Sequence, residues 1–569
     1  MGEDLVWASD TYADDIPYWI DRADEKDRAN RKGCLMVPYS YDCNDFKFHV
    51  PVSGFRDPDG FFSHLRNAFD VLYEEGEEGQ PKMMTVGLHC RIIGRPGRFK
   101  ALQDFVEYIS KKEGVWVATR TEIAEAFKAH FPCHRLMGSE LLQAFKDERL
   151  SVEDYANSLV THIQARDPDI KAWAYFNASQ VLEQARVLDK VPKDLRGPLH
   201  GIGVAVKDVI YTKGMPTQHN SSIYADSQPE VDAASVMMLR QAGALILGKT
   251  RTTEFAATVE GPGTANPHDT TRTPGGSSSG SAAAVADFQA PLALGTQTGG
   301  STIRPGSFNG VYAMKPTWNA ISREGQKIYS LILDTIGLYA RCTEDIELLA
   351  DVLGLQDDAL PQPLSTGLSS LKFGIYKSMV WDQAGSGTIK AMEKGKAVLE
   401  AHGAQVEELS LPVEFESLPK WHTCVLFSEG RTAFRPEYHV AKDKLAQSLV
   451  DHVEGKHGYT HKDHLEAFDN IAVLRPKWDE TAGKYAAVII PSVPDEAPKG
   501  LENTGSAVFN GWTTALHIPV INVPGFSGAN GMPIGLTLAG PRYGDRALLA
   551  VSQEVGKVWE KEGGWTSHL

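Results

Sequence analysis

Between Thr271 and Pro316 the chain reads TRTPGGSSSGSAAAVADFQAPLALGTQTGGSTIRPGSFNGVYAMKP, and two Gly-Gly-Ser turns, at Gly275–Ser277 and Gly299–Ser301, stand 24 residues apart. Glycines let backbone N–H groups converge on a small anionic centre with no Cβ in the way, as an oxyanion hole requires. A flexible Gly/Ser linker has a similar composition. It would not carry the helix-former run SAAAVA and the strand-like PLALG that separate the two turns. The pattern predicts a built site that presents a serine nucleophile for acyl transfer. No histidine pattern accompanies that serine, so its base must be another group. Lys207 is the candidate, because it follows the buried-looking strand GVAV and a desolvated lysine can lose its proton near neutral pH.

Three other patterns match the sequence literally and fail on physics. Gly243–Thr250 satisfies GxxxxGK[ST], but a phosphate-cradling loop must curl, whereas Ala-Leu-Ile-Leu between its glycines is best buried as a strand. Gly276–Gly280 satisfies GxSxG, yet the preceding HDTTRTPG is polar and holds Pro274, so no buried strand delivers that serine. His452, His457, His461 and His464 crowd together without a recognisable ligand spacing and read as a solvated polar face; no metal is expected.

The elements that position these residues can be read from hydrophobic pattern. From Gly201 the runs GIGVAV, ALIL, PLALG, GVYAM, FGIY, AAVIIP and PVINVPG are separated by Gly, Ser, Thr and Pro. Continuous apolar runs, interrupted by helical windows such as Ala233–Ala242, predict strands buried on both faces of a mixed α/β sheet. Ser139–Lys190 reads as a series of amphipathic helices, with Ser151 and Asp154 spaced as a capping box. The segment 385–480 is more polar and helical, a lid, a specificity insert or a peripheral layer. Residues 1–133 alternate strand-like stretches (Cys34–Pro38, Met83–Leu88) with helical ones (Ala101–Lys111, Thr121–His130), and the texture changes around Pro132–Gly138. A boundary near 134 is expected.

The composition of the 569 residues, 42% hydrophobic and 23% charged, is that of a globular protein and excludes disordered, collagenous and coiled-coil chains. Lys plus Arg total 57 against 73 Asp plus Glu, and the resulting −16 argues against a nucleic-acid backbone or an anionic membrane as main partner. No apolar run approaches the ~18 residues of a membrane span, the start MGEDLVWASD carries no leader pattern, and a cytoplasmic protein is expected. Six cysteines without CxxC spacing read as reduced, structural thiols.

Gly201–Asp208, Gly248–Phe255, Thr273–Ser278, Gly295–Ser301, Met314–Thr317 and the C-terminal Pro519–Pro541 together resemble the amidase signature family, in order, over about 134–569. The resemblance implies a mixed sheet covered by helices on both faces and a Ser–cis-Ser–Lys triad. On this likeness Ser301 is the nucleophile, Ser277 the bridging serine after a cis peptide bond, and Lys207 the general base. The backbone N–H groups of Thr298, Gly299, Gly300 and Ser301 match the oxyanion hole, and Ser278 sits where relatives orient the lysine. Many relatives have Asp at the position of Gln297 and Gly at that of Ser279; neither change removes a triad member.

Tyr12–Tyr18, Val37–Asp45 and Gly87–Gly97 look like the C-terminal half of a polysaccharide deacetylase-like, allantoinase-type hydrolase, a partial (β/α) barrel with only His89 matching a late motif. This segment, 1–133, is expected to be non-catalytic, and 134–569 to be the catalytic domain. The expected activity is hydrolysis of a small-molecule carboxamide through an acyl-serine, without cofactor, nucleic acid or membrane, with a homodimer as one assembly. The rival is a non-catalytic or amidotransferase-type subunit. A glutamine-dependent tRNA amidotransferase subunit fits less well, given the foreign N-terminal segment and the acidic balance.

Overall fold

The structure is a computed structural model and describes residues 18–20, 34–49, 55, 57–77, 82–123, 126, 136–147, 150–358 and 367–569. It divides into two units, Met1–Cys133 and His134–Leu569.

In the first unit the helices Pro58–Glu77 and Pro96–Ile109 pack together, burying Phe61, Leu65, Ala101 and Phe105 with Cys43 and Ile93. Strand β1 (Tyr18–Ile20) pairs antiparallel with β2 (Cys34–Met36). Met83–Leu88 does not become a strand: the Thr85 N–H is taken by Ser40 Oγ at 3.0 Å, and the stretch makes only an isolated bridge, Asn44 to Gly87. Of Thr121–His130, residues 124–125 and 127–130 lie outside the described residues, as do 132–135 of the expected boundary and most of Tyr12–Tyr18. Among the described residues the β1–β2 pair is the only sheet of this unit, and they give the expected partial barrel no support. His89 is partnered by buried Asp45, which accepts its backbone N–H at 2.8 Å and faces its Nδ1 at 2.6 Å.

In the second unit all seven apolar runs form strands. They are β4 (Gly203–Lys207), β5 (Leu245–Thr250), β6 (Leu292–Gln297), β7 (Tyr312–Lys315), β9 (Lys372–Ile375), β11 (Ala487–Pro491) and β12 (Val520–Ser527). With β3 (Trp173–Phe176), β8 (Thr335–Ala340), β10 (Gln405–Glu408) and β13 (Pro533–Ala539) they make one mixed sheet of 11 strands, ordered β10-β9-β11-β13-β12-β7-β8-β6-β4-β5-β3. Successive side chains of a strand point to opposite faces. Every residue of β4 to β8 is buried, so both faces of the sheet centre are covered. The strand β3 stands between two members of the series of helices expected over Ser139–Lys190, and Ser151 caps the helix Val152–Ile170 by accepting the Asp154 N–H.

Leu245–Thr250 of the GALILGKT stretch form β5, extended as the apolar run requires; buried Lys249 donates to Thr217 Oγ1 at 2.7 Å and to the Ile210 carbonyl. β4, β5 and β6 run parallel, with a register shift against β5 between Val204 and Ala205; Val206 stands beside Lys249 and Leu294, which brings the C-terminal ends of β4 and β6 together. The segment 385–480 supplies the edge strand β10 and five helices. One of these, Leu418–Ala433, packs between His461–Ala482 and the short helix Gly511–Ala515. His452 departs from the expected solvated face. It is buried, its Nε2 lies 2.9 Å from Tyr329 Oη and its Nδ1 2.7 Å from His457 Nε2, with Phe427 stacked on His457. Among the described residues no helix is long and apolar enough to cross a membrane.

Candidate active site

Lys207 ends β4 and is wholly buried. Its amine reaches three hydroxyls: Ser277 Oγ at 2.8 Å, Ser278 Oγ at 2.9 Å and Thr296 Oγ1 at 2.7 Å. Burial pushes its pKa well below the usual lysine value; Asp334 opposes that shift and Arg304 adds to it. The neutral amine is the form such a site favours, and a neutral amine is a base. Thr296 lies inside the Gly295–Ser301 motif with no role assigned from sequence; its place at the end of β6, beside the end of β4, puts a hydroxyl next to the lysine.

Ser277 follows a cis peptide bond, Gly276–Ser277, as the resemblance implies. The turn before it leaves no room for side chains: Gly275 has φ +81°, and a Cβ there would come within 3.0 Å of Pro305 Cα. The Gly276 carbonyl is held by the Arg304 guanidinium, whose Nε donates at 3.2 Å and whose second nitrogen also donates to it. Burial lowers the Arg304 pKa to about 10, so it stays charged. Ser278 starts the helix Ser279–Ala286; its N–H points at the Ser301 carbonyl, 3.4 Å away, and its Oγ accepts the Thr296 N–H at 3.2 Å. This is how the two Gly-Gly-Ser turns are joined.

The second turn leaves β6 and enters the helix Ile303–Asn309. Among the described residues, the N–H groups of Thr298, Gly299, Gly300 and Ser301 have no acceptor in the protein. Their carbonyls are all engaged. Thr298 O faces His422 Nε2 at 2.9 Å, Gly299 O accepts from Thr514 Oγ1 at 2.7 Å, and Gly300 O accepts the Arg304 N–H at 3.0 Å. Ser301 O accepts from Tyr339 Oη at 3.2 Å. Consecutive free N–H groups on a frame of satisfied carbonyls form a concavity for a negative oxygen. Gly299 and Ser301 are partly exposed, whereas Lys207, Ser277, Ser278 and Thr296 are buried, so a substrate would meet the outer rim of the cluster.

Gln297, which stands where many relatives have Asp, accepts the Thr302 and Ile303 N–H groups at 2.9 and 3.1 Å and donates to Thr514 Oγ1 at 3.0 Å. It caps the following helix and reaches across to the C-terminal part of the chain. Thr298 Oγ1 donates to Asp334 Oδ1 at 2.6 Å, and burial raises the Asp334 pKa to about 6. His422 is buried, which lowers its pKa and keeps the ring neutral, so Nε2 carries a hydrogen for the Thr298 carbonyl. Tyr339, Asp334, His422 and Thr514 carry no local pattern that marks them as site residues, since each acts on the backbone or on a hydroxyl far away in the chain.

A mixed 11-stranded sheet that closes a buried lysine and two serines around an open run of N–H groups defines an α/β amide-cleaving class of enzyme. The family model for amidases matches residues 154–549, and the chain belongs to the amidase family. A glutamyl-tRNA(Gln) amidotransferase subunit of Picosynechococcus sp. is 31% identical over 476 residues, covering 74% of this chain and 97% of that protein. The solved counterpart of that subunit from Thermotoga maritima is similar with a TM-score of 0.62 at 25% identity, covering 74% of this chain and 94% of that one. Native peptide amidase from Stenotrophomonas maltophilia gives a TM-score of 0.65 at 25% identity, covering 77% and 99%. The amidotransferase type, a poorer fit by charge and by the N-terminal segment, is therefore among the relatives. Net charge reports on the whole surface; the likeness lies in the sheet and its motifs. The match to the amidase family begins beyond residues 1–133.

Proposed function

We propose that the chain cleaves the C–N bond of a carboxamide through an acyl intermediate on Ser301. The observation that carries this is the buried Lys207 amine, held by the Ser277, Ser278 and Thr296 hydroxyls beside four unpaired N–H groups. Neutral Lys207 takes the proton of Ser277, which takes that of Ser301 as its oxygen bonds to the amide carbon. The N–H groups of Thr298, Gly299, Gly300 and Ser301 carry the charge that develops on the carbonyl oxygen; one such donor is worth about 3–4 kcal/mol. The proton returns through Ser277 to the leaving nitrogen, the C–N bond breaks, and water then releases the acid by the same route. The products are a carboxylate and ammonia or an amine.

Two fates of the ammonia are open to this chemistry. The glutamyl-tRNA(Gln) amidotransferase relatives support an amidotransferase-type subunit, working with protein partners and passing the ammonia on, over a free-standing amidase. The likeness to peptide amidase supports simple hydrolysis. In the first case the −16 chain leaves contact with nucleic acid to its partners. Residues 1–133 we read as a deacetylase-like segment with no part in this reaction.

A serine-directed fluorophosphonate should add its mass to the peptide carrying Ser301, and Ser301→Ala should abolish both labelling and ammonia release. Equal labelling of the variant refutes the nucleophile. Ammonia release by the isolated chain, compared between glutamine and a panel of aliphatic, aromatic and ureide amides, separates the two fates: turnover of glutamine alone favours the amidotransferase type.

A further inference from the structure

A trans peptide unit holds its C=O and the following N–H in one plane, pointing in opposite directions. Whatever pins a carbonyl therefore aims the next residue's N–H. From this geometry we infer that His422 and Thr514 are positioning residues that aim the oxyanion hole, His422 through the Thr298 carbonyl onto the Gly299 N–H, and Thr514 through the Gly299 carbonyl onto the Gly300 N–H. The inference rests on the reading of Thr298–Ser301 as that hole.

Thr514 is itself held as a donor, and His422 Nε2 faces a carbonyl oxygen, which can only accept. The Gln297 side-chain oxygen is occupied by two backbone N–H groups, which turns its amide nitrogen towards Thr514 Oγ1 at 3.0 Å. Thr514 accepts that bond and turns its own O–H to Gly299 O at 2.7 Å, the nearer of two acceptors, the other being the Asn510 carbonyl at 3.4 Å. His422 comes from the helix Leu418–Ala433, 124 residues distant from Thr298. Its ring lies against the turn, with Cε1 3.6 Å from the place a Cβ would occupy on Gly299. The other side of the ring is accommodated by Gly511, where a Cβ would fall 2.8 Å from Nδ1. Both clamps lie outside the runs that carry the family likeness to Lys207 and the two serines, and neither touches those three side chains in the described hydrogen bonds.

Two pairs of variants test this in the full chain. His422→Phe keeps ring volume and removes the donor, whereas His422→Gln restores one; Thr514→Val keeps shape and removes the hydroxyl, whereas Thr514→Ser restores it. The probe is the second-order rate of fluorophosphonate labelling at Ser301, measured against pH. In His422→Phe and Thr514→Val the plateau rate should fall about 10- to 100-fold, below the loss of a whole donor. The midpoint of the acid limb, set by the base, should stay where it is in the parent, and Gln or Ser should recover most of the rate. A folded His422→Phe labelled within about threefold of the parent overturns the role of His422. If that variant does not fold, His422→Gln and Thr514→Val decide, and a Thr514→Val rate within about threefold of the parent overturns the aiming argument. Loss of rate with a displaced midpoint would also overturn it, since the base would then have moved. Failure of the underlying reading is separate: it appears as labelling that survives Ser301→Ala.

Discussion

Gly299 and Gly300 are neighbours in the same turn, and the structure gives them opposite tolerances. A Cβ on Gly300 would lie 2.4 Å from Asn510 Oδ1 and 2.9 Å from both Ala507 Cβ and Asn510 Cβ. A Cβ on Gly299 meets nothing nearer than His422 Cε1 at 3.6 Å, an ordinary contact. Neither glycine has a left-handed φ, so backbone conformation does not separate them. In Gly300→Ala, Asn510 must swing away and give up its 3.0 Å bond to the Ser492 carbonyl, or the turn must move. Overpacking costs about 1–3 kcal/mol and a lost buried hydrogen bond about 1 kcal/mol, so a loss of ~2–4 kcal/mol is expected. If the turn yields instead, a displacement on the order of 1 Å at the nucleophile costs about 100-fold in rate. Gly299→Ala should stay within about 0.5 kcal/mol of the parent. The assay is denaturant unfolding of each variant together with the fluorophosphonate rate at Ser301. Equal behaviour of the two substitutions, in either direction, would refute the steric reasoning.

Lys207→Met should end turnover of every amide while keeping the fold, and activity retained near neutral pH would remove Lys207 as base. Because burial lowers the folded-state pKa of Lys207, the unfolded chain binds the extra proton between that value and 10.5, and the parent gains stability as pH rises through this window. Lys207→Met lacks that gain, so its stability relative to the parent should fall by about 1.4 kcal/mol per pH unit there; parallel curves would contradict a neutral buried amine. Asp334 raises the Lys207 pKa, so Asp334→Asn should move the acid limb of the pH–rate profile to lower pH, and a shift to higher pH would show the coupling has the wrong sign. Tyr339→Phe removes the donor to Ser301 O and Thr302 O, at 3.2 and 3.0 Å. Ser301 O keeps the Ser278 N–H and Thr302 O keeps the Gly306 N–H, so the cost should be ~1 kcal/mol with a several-fold lower labelling rate. A variant indistinguishable from the parent in both would leave Tyr339 without a role.

The sheet is legible where strands are buried on both faces, because a run such as PLALG or AAVIIP has no other stable place. Three of the strands outside the seven apolar runs have weaker patterns. β10 is QVEE, largely exposed at a sheet edge, and β3 is four residues wedged between two helices. In β8, threonine, glycine and tyrosine dilute the apolar run of TIGLYA. The same division holds at the site. Lys207, Ser277 and Ser301 stand in or beside glycine-rich runs whose spacing is local and therefore visible. Thr296 stands in the same motif as Ser301, but as a strand residue its hydroxyl carries no mark of a role. His422 and Thr514 grip backbone carbonyls, which have no side-chain identity, across separations of 124 and 215 residues, and no one-dimensional pattern records such a contact. The His452 cluster misleads for a related reason: four histidines near one another in sequence look like one face, but His452 turns inward to Tyr329.

The frame around the Gly299–Ser301 turn draws on residues 278, 304, 339, 422 and 514. Such long-range pairings form late, after the loops between them have closed. A chain emerging from the ribosome carries Lys207, Ser277 and Ser301 long before Thr514 is available, so it would hold the reactive groups without the geometry that arms them. Catalysis then becomes a report that synthesis has passed residue 514 and the sheet has closed. A chain that ends before residue 514 would lack one of the two clamps on the turn.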